Sequence, residues 1–272
     1  MSLVERIDAH HHLWKYTPAE FGWIDDSMAA LRRDFSVSDY QPEMDSAAIA
    51  GSVVVQTRQT LEETRTLLDL AETHDTLRGV VGWAPIVGEE FPECMEEFDG
   101  RDKLKGLRHI IPAERDENYI LRADFNSGIT AMQGSGLVYD IYVRERQLPQ
   151  TIDFVDEHPK QLFVLDQLAE APFGGEHFEL WASRMRGLAK RQHIFCKLAG
   201  LTTELEAIRP YLDVVVESFG PQRLMAGSNW PVCLLSGGYG AWFRLLEEYF
   251  AGFSEVERAA VFGETASWFY GL

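Results

Sequence analysis

Short apolar, β-branched runs recur along this chain, each followed by a stretch with helical spacing, and that alternation narrows the folds open to it. The runs fall at 5–10, 52–56, 77–83, 104–110, 136–143, 162–167, 194–200 and 223–230. Helices are expected at 61–71, 89–98, 118–133, 147–158, 176–190 and 203–219, the last interrupted or bent at Pro210. Two terminal helices are expected at 240–250 and 254–270, the second opened by a capping box of Ser254 and Glu257. Eight strands alternating with helices in 272 residues predict a single (β/α)8 barrel domain over 1–272. An open doubly wound sheet is disfavoured, because no glycine-rich phosphate turn follows the first strand. The aromatic-rich connection from Leu13 to about Pro42 is expected to be a long, ordered loop.

Composition excludes several functions. A formal charge of −18 argues against nucleic acid as a partner, since phosphates would be repelled. No apolar run approaches membrane-spanning length. Three cysteines without paired spacing, and no secretory signal, suggest a reducing cytoplasm. A monomer or small homo-oligomer acting on a small molecule is the expected form.

In a barrel the active site lies at the C-terminal ends of the strands. There the first strand carries His10 and His12. Counted by simple alternation, Asp8, His10 and His12 share one face and His11 takes the other. The run sits in a hydrophobic strand, which argues against a tag remnant. Two imidazoles on one face could grip a metal or aim at a substrate, although H-x-H alone is a weak signal. The other ends carry Gln56 and Arg58, Trp83, Arg108 and His109, Tyr142 and Arg144, Asp166 and Gln167, Lys197, and Ser228, Asn229 and Trp230. That is more polar surface than a barrel core needs, and it predicts a ligand-binding mouth.

Alternation puts Gln167 with Phe163 and Leu165, Lys197 with Phe195, and Asn229 with Met225 and Gly227. If these sets face the lumen, His10, His12, Gln167, Lys197 and Asn229 converge, while Asp166 turns away as a buried carboxylate satisfied by neighbouring backbone or a helix. Lys197 is either a substrate holder or a barrel-filling ion pair, with Asp8 as one candidate partner. Of Arg108 and His109 only one can point fully inward. Trp14, Trp23 and Trp230 could pack the core or offer faces to a sugar ring.

The chain resembles the amidohydrolase-2 family of the amidohydrolase superfamily, and within it the L-fuconolactonase-like and L-rhamnonolactonase-like sugar-lactone hydrolases. The resemblance rests on IDAHHHLW (7–14), SVVVQT (52–57), GVVGW (79–83), KGLRHI (105–110), YDIYVRERQLP (139–149), FVLDQLAEAP (163–172), CKLAGL (196–201) and RLMAGSNWPVC (223–233), which follow in order along nearly the whole chain. It implies a distorted (β/α)8 barrel that hydrolyses a small lactone. Two departures stand out. Gln167 occupies the place of a family histidine, and Asn229 that of the family aspartate expected as general base and, in metal-bearing members, a ligand. Glu170 stands near a family lysine.

Lactone hydrolysis needs an activated water and donors at the developing oxyanion. Asn229 can orient water but cannot take its proton. With His10 and His12 as the only metal candidates, no tightly held zinc is expected, although a divalent metal stays open. In the metal-free route His10, His12 or His109 serves as base, while Arg108 and Lys197 hold the carbonyl oxygen or a carboxylate. The substrate-binding candidates are Trp14, Trp23, Gln56, Arg58, Arg108, Tyr142, Gln167, Lys197 and Trp230. The leading expectation is a sugar-lactone hydrolase with a modified site. Behind it stand a weakened paralogue that binds a sugar acid, and then a metal-dependent decarboxylase.

Overall fold

Eight parallel strands stand side by side in sequence order in the computed structural model, which describes residues 5–173, 177–200 and 204–272. They are β1 (Ile7–His11), β2 (Gly51–Val55), β3 (Leu77–Gly82), β4 (Leu104–Ile110), β5 (Val138–Tyr142), β6 (Phe163–Leu165), β7 (Ile194–Ala199) and β8 (Leu224–Gly227). Runs such as Val53-Val54-Val55 are apolar throughout because both faces of a parallel strand are buried. Beyond the strand ends, β1 and β8 are joined by His12 N–H to Trp230 O at 2.7 Å and Asn229 N–H to His10 O at 2.8 Å. The sheet thereby closes into the expected (β/α)8 barrel.

The connecting helices are α1 (Val37–Ser46), α2 (Leu61–Thr73), α3 (Phe91–Glu97), α4 (Ala123–Met132), α5 (Leu148–Glu157), α6 (Phe178–Leu188) and α7 (Leu205–Phe219). The starts expected at 176 and 203 lie outside the described residues. No break appears at Pro210, and α7 runs through it. The long connection after β1 differs from the expected loop, since it holds a 3-10 turn at Asp26–Leu31 and then α1. Ser36 and Asp39 form a reciprocal capping box there, a local signal strong enough to start a helix despite Pro42.

After α8 (Tyr239–Tyr249), Ser254 caps α9 (Glu255–Ala259), which continues through a π-turn into α10 (Thr265–Tyr270). This last helix plugs the bottom of the barrel. Ala266, Phe269 and Tyr270 pack against the lumen residues Ile7, Ala9, Val53, Val55, Val81, Val138, Val164, Phe195 and Met225. Outward-facing Val54, Val80, Leu107, Tyr139, Ile141, Leu165 and Leu198 join the helices in the main core. No helix among the described residues is long and apolar enough to cross a membrane.

Candidate active site

Above the apolar plug, the lumen changes abruptly into a charged layer. The change begins in β1, whose register shifts between Asp8 and His11. Ile7 and Ala9 face the apolar lumen, yet His10 also faces inward, so simple alternation fails here. Asp8 consequently points out of the barrel, opposite to the expected face. It accepts from Tyr40 Oη at 2.7 Å, Ser228 N at 2.8 Å and His10 N at 3.1 Å. His11 stacks on Tyr40 outside the barrel, with ring centroids 3.9 Å apart. Room for His10 comes from Gly227 on β8, where a Cβ would lie 2.8 Å from the His10 Cβ.

His10 and His12 meet at their Nε2 atoms, 3.2 Å apart, and His12 Nδ1 lies 2.7 Å from Val55 O. On the far side of His10, Lys197 Nζ sits 3.1 Å from Nδ1, 2.5 Å from Asp140 Oδ2 and 3.1 Å from Asp166 Oδ1. Tyr270 Oη donates to Asp140 at 3.0 Å, which ties α10 to this layer. Arg108 donates to Asp166 Oδ2 at 2.9 Å and to Gln56 O at 2.5 Å, while Gln56 Nε2 returns a bond to Arg108 O at 3.1 Å. Arg108 Nε is buried without a hydrogen-bond partner among the described residues.

Electrostatics follow from this packing. Burial holds His10 well below the ordinary imidazole range, and burial with the Arg108 guanidinium pushes His12 down to about 3. Both imidazoles are therefore neutral. Burial also pushes Asp140 up to about 6. At Asp166 burial acts in the same direction, but Lys197, His10 and Arg108 outweigh it and hold the carboxylate well below its usual range.

The mouth itself is a cavity of about 370 Å³ lined by His12, Trp14, Trp23, Thr57, Arg108, Ile110, Pro112, Ala113, Tyr142, Arg144, Gln167, Asn229 and Val232. Seven expected residues therefore meet at one surface: His12, Trp14, Trp23, Arg108, Tyr142, Gln167 and Asn229. Gln167 arrives by a different route from the one alternation suggests. On β6, Phe163 and Leu165 face outward while Val164 and Asp166 face the lumen. The backbone then turns left-handed at Gln167, φ 49°, and this aims its amide at Asn229 Oδ1, 3.0 Å away. Asn229 also has positive φ, at 55°, a conformation that asparagine tolerates.

The remaining expected residues lie elsewhere. His109 faces outward, stacked on Tyr119, with Nε2 2.7 Å from Glu114. This settles the choice within the Arg108–His109 pair in favour of Arg108. Arg58 pairs with Glu20 beside a second cavity, and Trp230 is buried against Phe35 and Tyr40. Gln56 and Lys197 are fully buried and do not line the mouth. Lys197 pairs with Asp140 and Asp166 and not with Asp8. His10 stands behind His12. Arg144, placed at a strand end by the sequence but not among the candidate site residues there, lines the cavity with Nε 3.4 Å from Glu170, which also accepts from Tyr142 Oη at 2.6 Å.

Two donor groupings could concern a metal. In the first, atoms of His10, Asp140 and Asp166 lie within 4.8 Å of one another. The Lys197 ammonium already stands among them and satisfies their charge, so this grouping does not suit an ion. In the second, the paired Nε2 atoms of His10 and His12 do suit one. Tetrahedral zinc with Zn–N of about 2.0–2.1 Å sets two ligand nitrogens about 3.3–3.4 Å apart. Each Nδ1 also faces an oxygen acceptor, Val55 O for His12 and Asp166 Oδ1 at 3.4 Å for His10, as ligating histidines require. The mouth wall also offers the neutral amide oxygens of Asn229 and Gln167.

Comparison with known proteins agrees with this architecture. A family model described as Amidohydrolase matches residues 7–272. The chain is 37% identical to an L-fucono-1,5-lactonase of Burkholderia multivorans, over 98% of this chain and 96% of that protein. It is 34% identical to an L-fucono-1,5-lactonase of Burkholderia ambifaria, with the same coverage. A crystal structure of an amidohydrolase from Burkholderia multivorans with bound zinc superposes with a TM-score of 0.94 at 37% identity, covering 98% of this chain and 99% of that one. Zinc in that relative gives no support to the expectation that a metal is dispensable.

Proposed function

Because the chain belongs to the amidohydrolase family, we propose that it hydrolyses a small sugar lactone, L-fuconolactone or a similar aldonolactone, at the barrel mouth. The observation that carries this reading is the convergence of His12, Arg108, Tyr142, Gln167 and Asn229 on one cavity of about 370 Å³, roofed by Trp14 and Trp23. A five- or six-membered lactone fits that space and presents ring faces to indole.

Each residue has work that its chemistry permits. Asn229 and Gln167 hold the attacking water by hydrogen bonds but accept no proton at neutral pH. His12 is the neutral imidazole at the cavity surface and takes the proton through Nε2, exchanging the hydrogen bond it accepts there from His10 for one from the water. Held down to about 3 in the resting protein, it is a weak base, and turnover is correspondingly modest. Arg108, whose side chain lines the mouth, stabilises the oxyanion with its guanidinium charge as the carbonyl becomes tetrahedral. Arg144 holds the carboxylate of the ring-opened acid. A divalent ion, when bound, would be held by His10 and His12 and would acidify a water beside the carbonyl.

The test is release of acid from freshly prepared five- and six-membered aldonolactones, followed with a pH indicator, with and without added zinc. Rates well above spontaneous opening are expected. No acceleration across the panel in either condition would overturn the assignment. One observation favours a second reading, a protein that binds a sugar acid without turnover: the two amides are bonded to each other where a base would be useful. That reading predicts a higher melting temperature with an aldonate and no hydrolysis. We further infer a cytoplasmic role in carbohydrate catabolism. The three cysteines are buried and unpaired, which suits a reducing compartment.

A further inference from the structure

We propose that Lys197 is a built-in cation that fixes the tautomer of His10 and thereby sets how tightly the His10–His12 pair can hold a divalent metal. The inference rests on the reading of these two imidazoles as the metal-holding pair.

The hydrogen bonds leave little choice of proton position. Val55 O can only accept, so His12 Nδ1, 2.7 Å away, carries the hydrogen. The Lys197 ammonium, which only donates, faces His10 Nδ1, so the hydrogen that His10 carries points at His12 Nε2, which accepts it. The atom facing it at 3.2 Å, His10 Nε2, is therefore the donor. A neutral His10 protonated at Nε2 has a bare Nδ1, and Lys197 Nζ stands 3.1 Å from it. The order runs in one direction, from the Lys197 ammonium through His10 and His12 to Val55. Asp140 at 2.5 Å and Asp166 at 3.1 Å anchor the ammonium, and both are fully buried.

A metal on the two Nε2 atoms needs the opposite tautomer. His10 must bare Nε2 and move its hydrogen to Nδ1, where an N–H of Lys197 already points. Asp166 Oδ1, 3.4 Å from Nδ1, is the acceptor this second arrangement would use. Lys197 thus opposes the metal twice, by occupying the His10 lone pair and by placing a positive charge just behind the ring. It is a positioning residue, because it does not line the cavity and touches no substrate.

Two measurements test this without relying on lactone turnover, so their outcome is separable from that of the proposed activity. The first is the tautomer of His10 in metal-free protein, read from long-range 15N–1H correlations with 15N-histidine labelling. A hydrogen on Nε2 is expected, and a hydrogen on Nδ1 would overturn the proposal. The second is zinc affinity, measured by competition with a chromophoric chelator, for the natural protein and for Lys197→Met. Lys197→Met combined with Asp140→Asn restores charge balance if the single variant does not fold. Zinc binding at least tenfold tighter in the folded variant is expected, and it should be lost again when His12→Ala is added, since the carboxylate grouping that Lys197 vacates does not include His12. Tightening that survives His12→Ala would overturn the proposal. An affinity within twofold of the natural protein would overturn the proposal, and if neither variant folds the tautomer measurement decides alone.

Discussion

Gln167 Nε2 donates to Asn229 Oδ1 across 3.0 Å, so the two amides in the wall of the mouth are partners of each other. Neither can take a proton, and each limits how the other meets a ligand. Asn229→Asp alone would place a carboxylate where the amide oxygen now accepts, and Gln167 could still donate to it. Initial rates on aldonolactones should rise by about 10²–10⁴-fold, the usual worth of a general base. Adding Gln167→His should preserve or extend the gain. If folded Asn229→Asp gains nothing on any lactone, the mechanism assigned to this mouth is wrong.

Arg108 divides its donors between Asp166 and the backbone of Gln56 and leaves Nε free. Lysine keeps the charge but cannot hold both partners in the planar fork of a guanidinium. Arg108→Lys should lower kcat/KM by about 10²-fold, mostly through kcat, as for loss of an oxyanion donor. A change confined to KM would show that Arg108 binds the substrate without stabilising the oxyanion.

Trp14 and Trp23 meet edge to face, 6.1 Å apart, but differ in burial, at 6% and 45% exposure. Trp23→Ala should raise KM several-fold with little change in melting temperature. Trp14→Ala should cost about 3–5 kcal/mol in urea unfolding, because it opens a hole in a packed aromatic cluster. Equal stability losses in the two variants would contradict the division drawn between them.

Acid should destabilise the protein well before its surface carboxylates are protonated. Burial, the first cause in each case, holds His10, His11 and His12 below their ordinary value, His12 at about 3. Unfolding returns each to about 6.5, so the unfolded chain binds more protons on falling below that pH. Asp140, pushed up to about 6, offsets one of them by giving up its proton on unfolding. Stability is therefore full above pH ~6.5 and falls on acidification, by about 1.4 kcal/mol per pH unit for each net proton. Urea midpoints measured from pH 7.5 to 5 should trace this decline, and a flat profile would refute it.

The barrel was legible in the sequence because strand and helix periods alternate eight times; five residues of the mouth were legible because strand ends converge by rule, and Trp14 and Trp23 because aromatic faces suit a sugar ring. What escaped were features set by single backbone departures. Alternation counted through Gln167 turns Asp166 outward, but the chain has already left the strand at Gln167. Asp140, a buried partner of Lys197, gave no local sign of its role. Arg58 sits at the right strand end, but a carboxylate 38 residues earlier, Glu20, claims it. No windowed pattern registers a pairing of that kind.

The register shift in β1 has a consequence for how substitutions there will behave. Ala9 belongs to the apolar plug and His10 to the charged layer, so the border between what holds the barrel together and what it does runs through one peptide bond. A mutational scan along this strand should change character between adjacent positions. Enlarging Ala9 should be read out as lost folding, while altering His10 should be read out as changed chemistry.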